Sequence, residues 1–213
     1  INLNQPCISA LIRHYSTTHQ KQISMNKLLV VCTCLLLSLP IMAQQKPTEL
    51  DKSPMDMSYW PDNYPLLKMN GKVKDLPIAR IIYSRPQKNN RIIFNGIVKY
   101  GEMWRLGANE ATEVEFFKNV KIGGKVVPKG RYTLYCIPEA DKWTLILNKD
   151  NYTWGNYTYD IKKDVLRTTI PVEKLTSPIE NFTIYFEDAK GGNANLIIEW
   201  DDVKATMPIS IVP

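Results

Sequence analysis

From residue 78 onward the chain is a succession of short apolar runs cut apart by turn residues, and that spacing leaves little room for anything but β-structure. Runs at 78–83, 91–97, 112–118, 120–122, 131–137, 143–148, 165–172, 182–187 and 196–201 precede a last one ending at Ile211. Between them stand Pro86 to Asn90, Gly123-Gly124, Pro128-Lys129-Gly130, Pro138 to Lys142 and Lys190-Gly191-Gly192-Asn193. Within the runs, Val114 and Phe116 alternate with Glu113 and Glu115, and Phe182, Ile184 and Phe186 repeat at the strand period of two. The pattern predicts an all-β domain over 77–213, an antiparallel two-sheet β-sandwich of jelly-roll type.

Residues 44–76 read differently. Pro47, Pro54, Pro61, Pro65 and Pro77 recur too closely for a long helix, while Met55, Met57, Tyr59, Trp60, Tyr64, Leu66, Leu67 and Met69 are too apolar for a free linker. The expectation is an irregular, Pro-rich N-terminal strap laid over the domain, with a partner-docking arm as the alternative. Upstream, Met25 opens a signal-peptide pattern over 25–43. Asn26-Lys27 form its polar start, 28–39 its apolar run, and Ala43 a small residue at which cleavage is expected. About a dozen apolar residues are too few to span a bilayer, which takes roughly 20. Residues 1–24 are read as lying upstream of the natural start. This predicts an exported protein, periplasmic or extracellular, with no transmembrane span after cleavage.

Loss of 1–43 would remove Arg13, Lys21 and Lys27 and no acidic residue, taking the net charge from +6 to +3. A charge of that size without a basic stripe argues against nucleic acid. Cys7, Cys32 and Cys34 leave with the same segment, so Cys136 has no disulfide partner. His14 and His19 leave too. Without histidine, Ser-His-Asp and Cys-His nucleophilic sites are excluded, as are the common His-bearing zinc sites. No Gly-x-x-x-x-Gly-Lys-Ser/Thr phosphate loop is present. No metal and no cofactor is expected.

Two segments break the strand pattern. Residues 100–112 hold Trp104, Arg105, Asn109 and Glu110, with two Gly, between two strand-like runs, and residues 148–167 hold Asp150, Trp154, Tyr157, Asp160, Asp164 and Arg167. Polar groups there must satisfy one another or meet a ligand. One reading is loop stapling, Arg with carboxylates beneath aromatic covers. Another is a small polar ligand, glycan-like, whose ring faces stack on Trp and whose hydroxyls need donors and acceptors. Its candidate site is Trp104, Arg105, Asn109, Glu110, Trp154, Tyr157, Asp160 and Arg167. A third is hydrolysis by two carboxylates drawn from Glu110, Asp160 and Asp164, which must lie about 5–10 Å apart. Calcium is disfavoured, because Asp150, Asn151, Asp160 and Asp164 lack EF-hand spacing.

Tyr83-Ser84-Arg85-Pro86, the run from Tyr100 to Thr112, Gly130-Arg131-Tyr132-Thr133-Leu134-Tyr135, Trp154-Gly155, Tyr159-Asp160 and Asp164-Val165-Leu166-Arg167 occur in this order. With them, residues 53–213 resemble the bacterial family called domain of unknown function 2911. The resemblance implies an exported all-β domain of Gram-negative bacteria, with no activity and no active-site residues to carry over. Some relatives bear an asparagine synthetase label. This chain has neither a Cys following Ala43 nor a Ser-Gly-Gly-x-Asp-Ser loop to support one. Phe94-Asn95-Gly96 stands where relatives have Phe-Gly, so a different turn is expected there. The sequence thus leans away from an enzyme, toward a structural or ligand-binding domain.

Overall fold

A computed structural model describes residues 48–212. The readings of 1–24 and 25–43 lie outside the described residues. The strands are β1 (Met55–Trp60), β2 (Ala79–Ser84), β3 (Glu113–Phe116), β4 (Val120–Ile122), β5 (Lys125–Val127), β6 (Gly130–Pro138), β7 (Lys142–Asn148), β8 (Asp164–Ala189) and β9 (Asn193–Ile211). A short α-helix, α1 (Tyr64–Met69), follows β1.

The all-β expectation holds. The strands join as one antiparallel sheet in the order β1-β2-β3-β6-β7-β8-β9-β4-β5. Strand β8 makes this possible by changing partner along its length. Its first part, through Pro171, pairs with β7, and from Val172 it pairs with β9. Register breaks between Lys174 and Ile179 and between Ile179 and Thr183 mark where the strand bends.

Alternation places the core. In β2, Ala79, Ile81 and Tyr83 are buried while Arg80 and Ile82 are partly exposed on the opposite face. The same period buries Leu134 and Cys136 in β6, Leu145 and Leu147 in β7, and Phe182, Ile184 and Phe186 in β8. A smaller cluster of Ala111, Tyr135 and Ile146, with Met103, Ile137 and Tyr159 against it, lies on the other side of β6 and β7.

Arg85 links β1 to β8. Its Nη1 reaches Asp56 Oδ2 of β1 at 2.9 Å, its Nε donates to the Phe182 carbonyl at 3.2 Å, and its Nη2 donates to Thr183 Oγ1 at 3.0 Å. Nearby, the Phe186 N–H donates to Ser58 Oγ, and the Trp60 and Phe186 rings stack at 6.3 Å.

Two local expectations need correction. The N-terminal strap is not irregular throughout. Pro54 and Pro61 bracket 55–60 rather than interrupt it, and β1 pairs with β2 at all six positions. Residues 91–97 form turns, not a strand. Asn89, Asn90 and Asn95 hold positive φ, and at Gly96 a Cβ would lie 2.1 Å from the Ile92 carbonyl oxygen. Ile93 and Phe94 still enter the core, so the apolar signal was real although the period was not.

Candidate functional site

Residues 100–112 are bound into the fold through their backbone. Trp104 and Cys136 exchange both N–H···O bonds, at 2.7 and 2.9 Å. Facing residues of such a pair project to the same side. Cys136 is fully buried, and Trp104 accordingly enters the core. Its ring stacks on Trp200 at 6.0 Å and meets Phe94, Trp143 and Phe182 edge-on or steeply inclined. Its indole N–H donates to the Gly107 carbonyl at 3.2 Å. Beyond it the chain turns sharply, with Leu106 and Asn109 at positive φ and Gly107 at φ 145°. A Cβ on Gly107 would sit 2.6 Å from Ser84 Oγ. That hydroxyl accepts from the Ala108 N–H and donates to the Ala108 carbonyl, both at 2.6 Å. Thr112 Oγ1 donates to the Leu106 carbonyl. Arg105 accepts the Thr112 N–H through its carbonyl at 3.1 Å, while its Nε is buried without a partner among the described residues.

The second segment covers the outer face of β6 and β7. Asn148, fully buried, is its hub. Its Nδ2 donates to the Asp160 carbonyl at 2.9 Å and to Asp164 Oδ1 at 2.8 Å, while its Oδ1 accepts from the Asp150 N–H at 2.9 Å. Asp164 Oδ2 receives Tyr159 Oη and Arg167 Nε, each at 2.7 Å. Asp160 Oδ1 caps a short 3-10 turn, Ile161–Lys163, by accepting from the Lys162 N–H. Asp150 pairs with Lys163 at 3.0 Å. The Tyr159 ring packs edge-on against Tyr135 at 5.4 Å, which anchors the segment to the small outer cluster. Burial raises the Tyr159 phenol above its ordinary value, and its bond to Asp164 adds to the shift. Arg167 is raised mainly by its bond to the same carboxylate.

The two segments do meet, as their shared composition suggested. Glu110 and Trp154 face each other in an isolated antiparallel bridge, the Ala111 N–H donates to the Thr153 carbonyl, and the Gly155 N–H donates to the Asn109 carbonyl. Asn156 Nδ2 donates to the Met103 carbonyl at 2.7 Å. Trp104 is 7 % exposed and Trp154 59 %, so the two indoles do not share one open surface. Asp160, Asp164 and Arg167 are bonded within the covering segment, and Asn109 acts through its carbonyl and its turn. Glu110, Trp154 and Tyr157 project into solvent.

Beside the Glu110–Trp154 bridge lies a groove of about 270 Å³ lined by Met55, Ile82, Glu110, Ala111, Glu113, Tyr152 and Thr153. Tyr152 is 81 % exposed. Its N–H donates to Glu113 Oε1 at 2.5 Å, and Arg131 donates to its hydroxyl at 2.9 Å with the guanidinium 5.4 Å from the ring centre. Glu110 carries the groove's other carboxylate and has no ion pair or side-chain hydrogen bond among the described residues. Sequence reasoning missed Tyr152, Glu113 and Arg131. The aromatic spacing Tyr152-x-Trp154-x-x-Tyr157 was the available signal for the first. The other two look like ordinary outward strand positions.

A larger cleft of about 580 Å³ runs past Gly123, Gly124, Thr168, Asn193 and Asn195. None of its lining belongs to the two polar segments, and it holds no aromatic ring and no carboxylate, so size alone does not make it the site. Among the described residues no group of His, Cys, Asp and Glu is placed to hold a metal ion, and no helix is long and apolar enough to cross a membrane. Residues 65–209 match the model of the family described as "Protein of unknown function (DUF2911)". No curated protein and no solved structure matches the chain.

Proposed function

The chain belongs to that family, whose description assigns no activity, and we propose that it binds a small polar, glycan-like ligand in the Glu110–Tyr152 groove without transforming it. One observation carries the reading. Where the two polar segments meet, the exposed ring of Tyr152 lines the groove together with Glu110, a carboxylate without an ion pair or side-chain hydrogen bond among the described residues, and the exposed Trp154, outside that lining, is Glu110's bridge partner. An exposed ring offers a face for stacking, and a free carboxylate accepts hydroxyl protons. A volume of about 270 Å³ falls below the roughly 300–1,000 Å³ of sites for drug-sized ligands, which suits one sugar ring rather than a chain.

Hydrolysis by two carboxylates has less support. Asp160 and Asp164 are committed to the covering segment, and Glu113 is engaged by the Tyr152 N–H and by Arg131 at 3.8 Å. The same proposal includes export to the periplasm or outside the cell, which N-terminal sequencing of protein from its native host would check at Ala43. It also includes a two-layer, jelly-roll-like packing of the sheet's halves, supported by the Arg85 clasp between β1 and β8.

The test is a titration of the purified protein with a panel of mono- and disaccharides, followed by tryptophan fluorescence. Saturable binding is expected, weakened roughly tenfold by Trp154→Ala, Tyr152→Ala or Glu110→Gln at unchanged thermal stability. Binding that ignores all three substitutions, or none across the panel, would overturn the reading.

A further inference from the structure

A second groove, independent of the first, lies between α1 and the outer face of β1 and β2. It measures about 470 Å³, with Tyr59, Tyr64, Lys68, Met69, Leu76 and Arg80 among its walls. Tyr59 and Tyr64 stack on each other in its wall, ring centres 6.0 Å apart and 26° from parallel. Two cations stand in these walls and no carboxylate does.

Arg80 belongs to a cross-strand row, Tyr59–Arg80–Glu115–Arg131, set by the registers of β1, β2, β3 and β6. Its Nη2 donates to Glu115 Oε2 at 2.6 Å, and Glu115 is shared with Arg131 at 3.5 Å. Glu113 and Glu115 balance the two arginines, so the net positive charge of the groove is that of Lys68. Among the described residues Lys68 forms no ion pair. Arg80 still has donors to spare: a guanidinium carries five N–H groups, and Nη2 is its one hydrogen-bonded nitrogen among the described residues, while the side chain stays about a quarter exposed (26 %).

From this pairing of apolar walls with one unbalanced cation, we propose that the groove binds a small amphiphilic carboxylate. The apolar body lies between the tyrosine rings and the Met69 and Leu76 side chains, and the carboxylate meets Lys68 and the outer edge of Arg80. One net positive charge suits a monoanion. The planar guanidinium matches a carboxylate better than it matches a neutral hydroxyl.

Calorimetric titration of the purified protein with octanoate tests this, with octanol, octyltrimethylammonium and inorganic phosphate as controls. Octanoate is expected to bind saturably, octanol roughly tenfold more weakly, and the cation and free phosphate not at all. Lys68→Glu should weaken octanoate roughly tenfold, while Lys72→Glu, on the same segment but outside the groove walls, should stay within about twofold. Both are surface changes, and matching thermal unfolding curves would confirm that folding is intact. Octanol binding as well as octanoate, or Lys68→Glu binding like the wild type, would overturn the proposal. So would association with phosphatidylglycerol vesicles, but not phosphatidylcholine vesicles, in the absence of octanoate binding. That result would make this face a membrane-contact surface instead. Glu110→Gln should leave octanoate binding unchanged, so failure of the saccharide site and failure of this one read out separately.

Discussion

Trp104 and Trp154 sit in two segments of similar make-up, rich in Gly, Asn and charge and lacking strand period, yet one indole is 7 % exposed and the other 59 %. The difference lies in what each backbone pairs with. Trp104 bridges Cys136, an inward position of β6 in the middle of the sheet. Trp154 bridges Glu110, an exposed residue at the end of the first segment. In each bridge the side chain follows its partner's face. Inner segment and outer segment are therefore distinguished by register, not by composition. The inner one completes the core, and the outer one is a cover held by polar bonds.

The largest effect should separate the two directly. Trp104→Ala removes a ring packed against four aromatic neighbours and is expected to cost about 3–5 kcal/mol in urea unfolding. Trp154→Ala should stay within about 0.5 kcal/mol. Comparable losses for the two would break the distinction between core and cover.

Asn148→Ala sharpens it from the other side. Its amide makes three hydrogen bonds in a fully buried setting, and removal leaves the Asp160 carbonyl, Asp164 Oδ1 and the Asp150 N–H short of a partner. A cost of about 2–3 kcal/mol is expected. If the segment is a cover, the loss should be local as well as global. Hydrogen exchange should rise most for the amides of Lys149, Asp150 and Lys163, which bond within the covering segment, and least for those of Leu134 and Cys136. Uniform acceleration across β6 would mean that cover and core unfold as one unit.

Much of this was legible in the residues. The strand periods of 78–83, 112–118, 131–137, 143–148 and 182–187 all survive in β2, β3, β6, β7 and β8, because an inward face of Ile, Leu, Val and Phe fixes register locally. The meeting of the two polar segments was also anticipated, from matching inventories of Arg, carboxylate and aromatic residues. What could not be read was long-range. Nothing near Trp104 in sequence says that its partner is Cys136, 32 positions away, nor that β8 would change partners at Val172. The Tyr83-Ser84-Arg85-Pro86 run looked like a family mark without a role. Its tyrosine packs edge-on against Phe182, its serine holds Ala108, its arginine clasps β1 to β8, and its Pro86 carbonyl accepts the Phe182 N–H. Each of these partners lies more than twenty residues away, beyond the reach of periodicity.

The smallest expected effect is in pH, and it again divides inside from outside. Burial pushes the Cys136 thiol well above its ordinary value, and burial is the first cause of upward shifts at Tyr83, Tyr132 and Tyr135. A folded-state value above the unfolded one gives stability that is complete below the unfolded value and is lost as pH rises through the folded one, since the unfolded chain releases its proton first. Stability should therefore be flat from neutrality to near pH 9.0, the ordinary thiol value, and decline beyond it, more steeply past the ordinary phenol value of 10.0. Cys136→Ala should remove the earlier part of this decline and move its onset toward the phenol range. The slope of unfolding free energy against pH is the measurement, because the slope is insensitive to whatever constant penalty the smaller side chain brings. An unchanged onset would mean that the thiol facing Trp104 reaches solvent in the native state, and that the inner segment is less closed than the paired backbone at Cys136 requires.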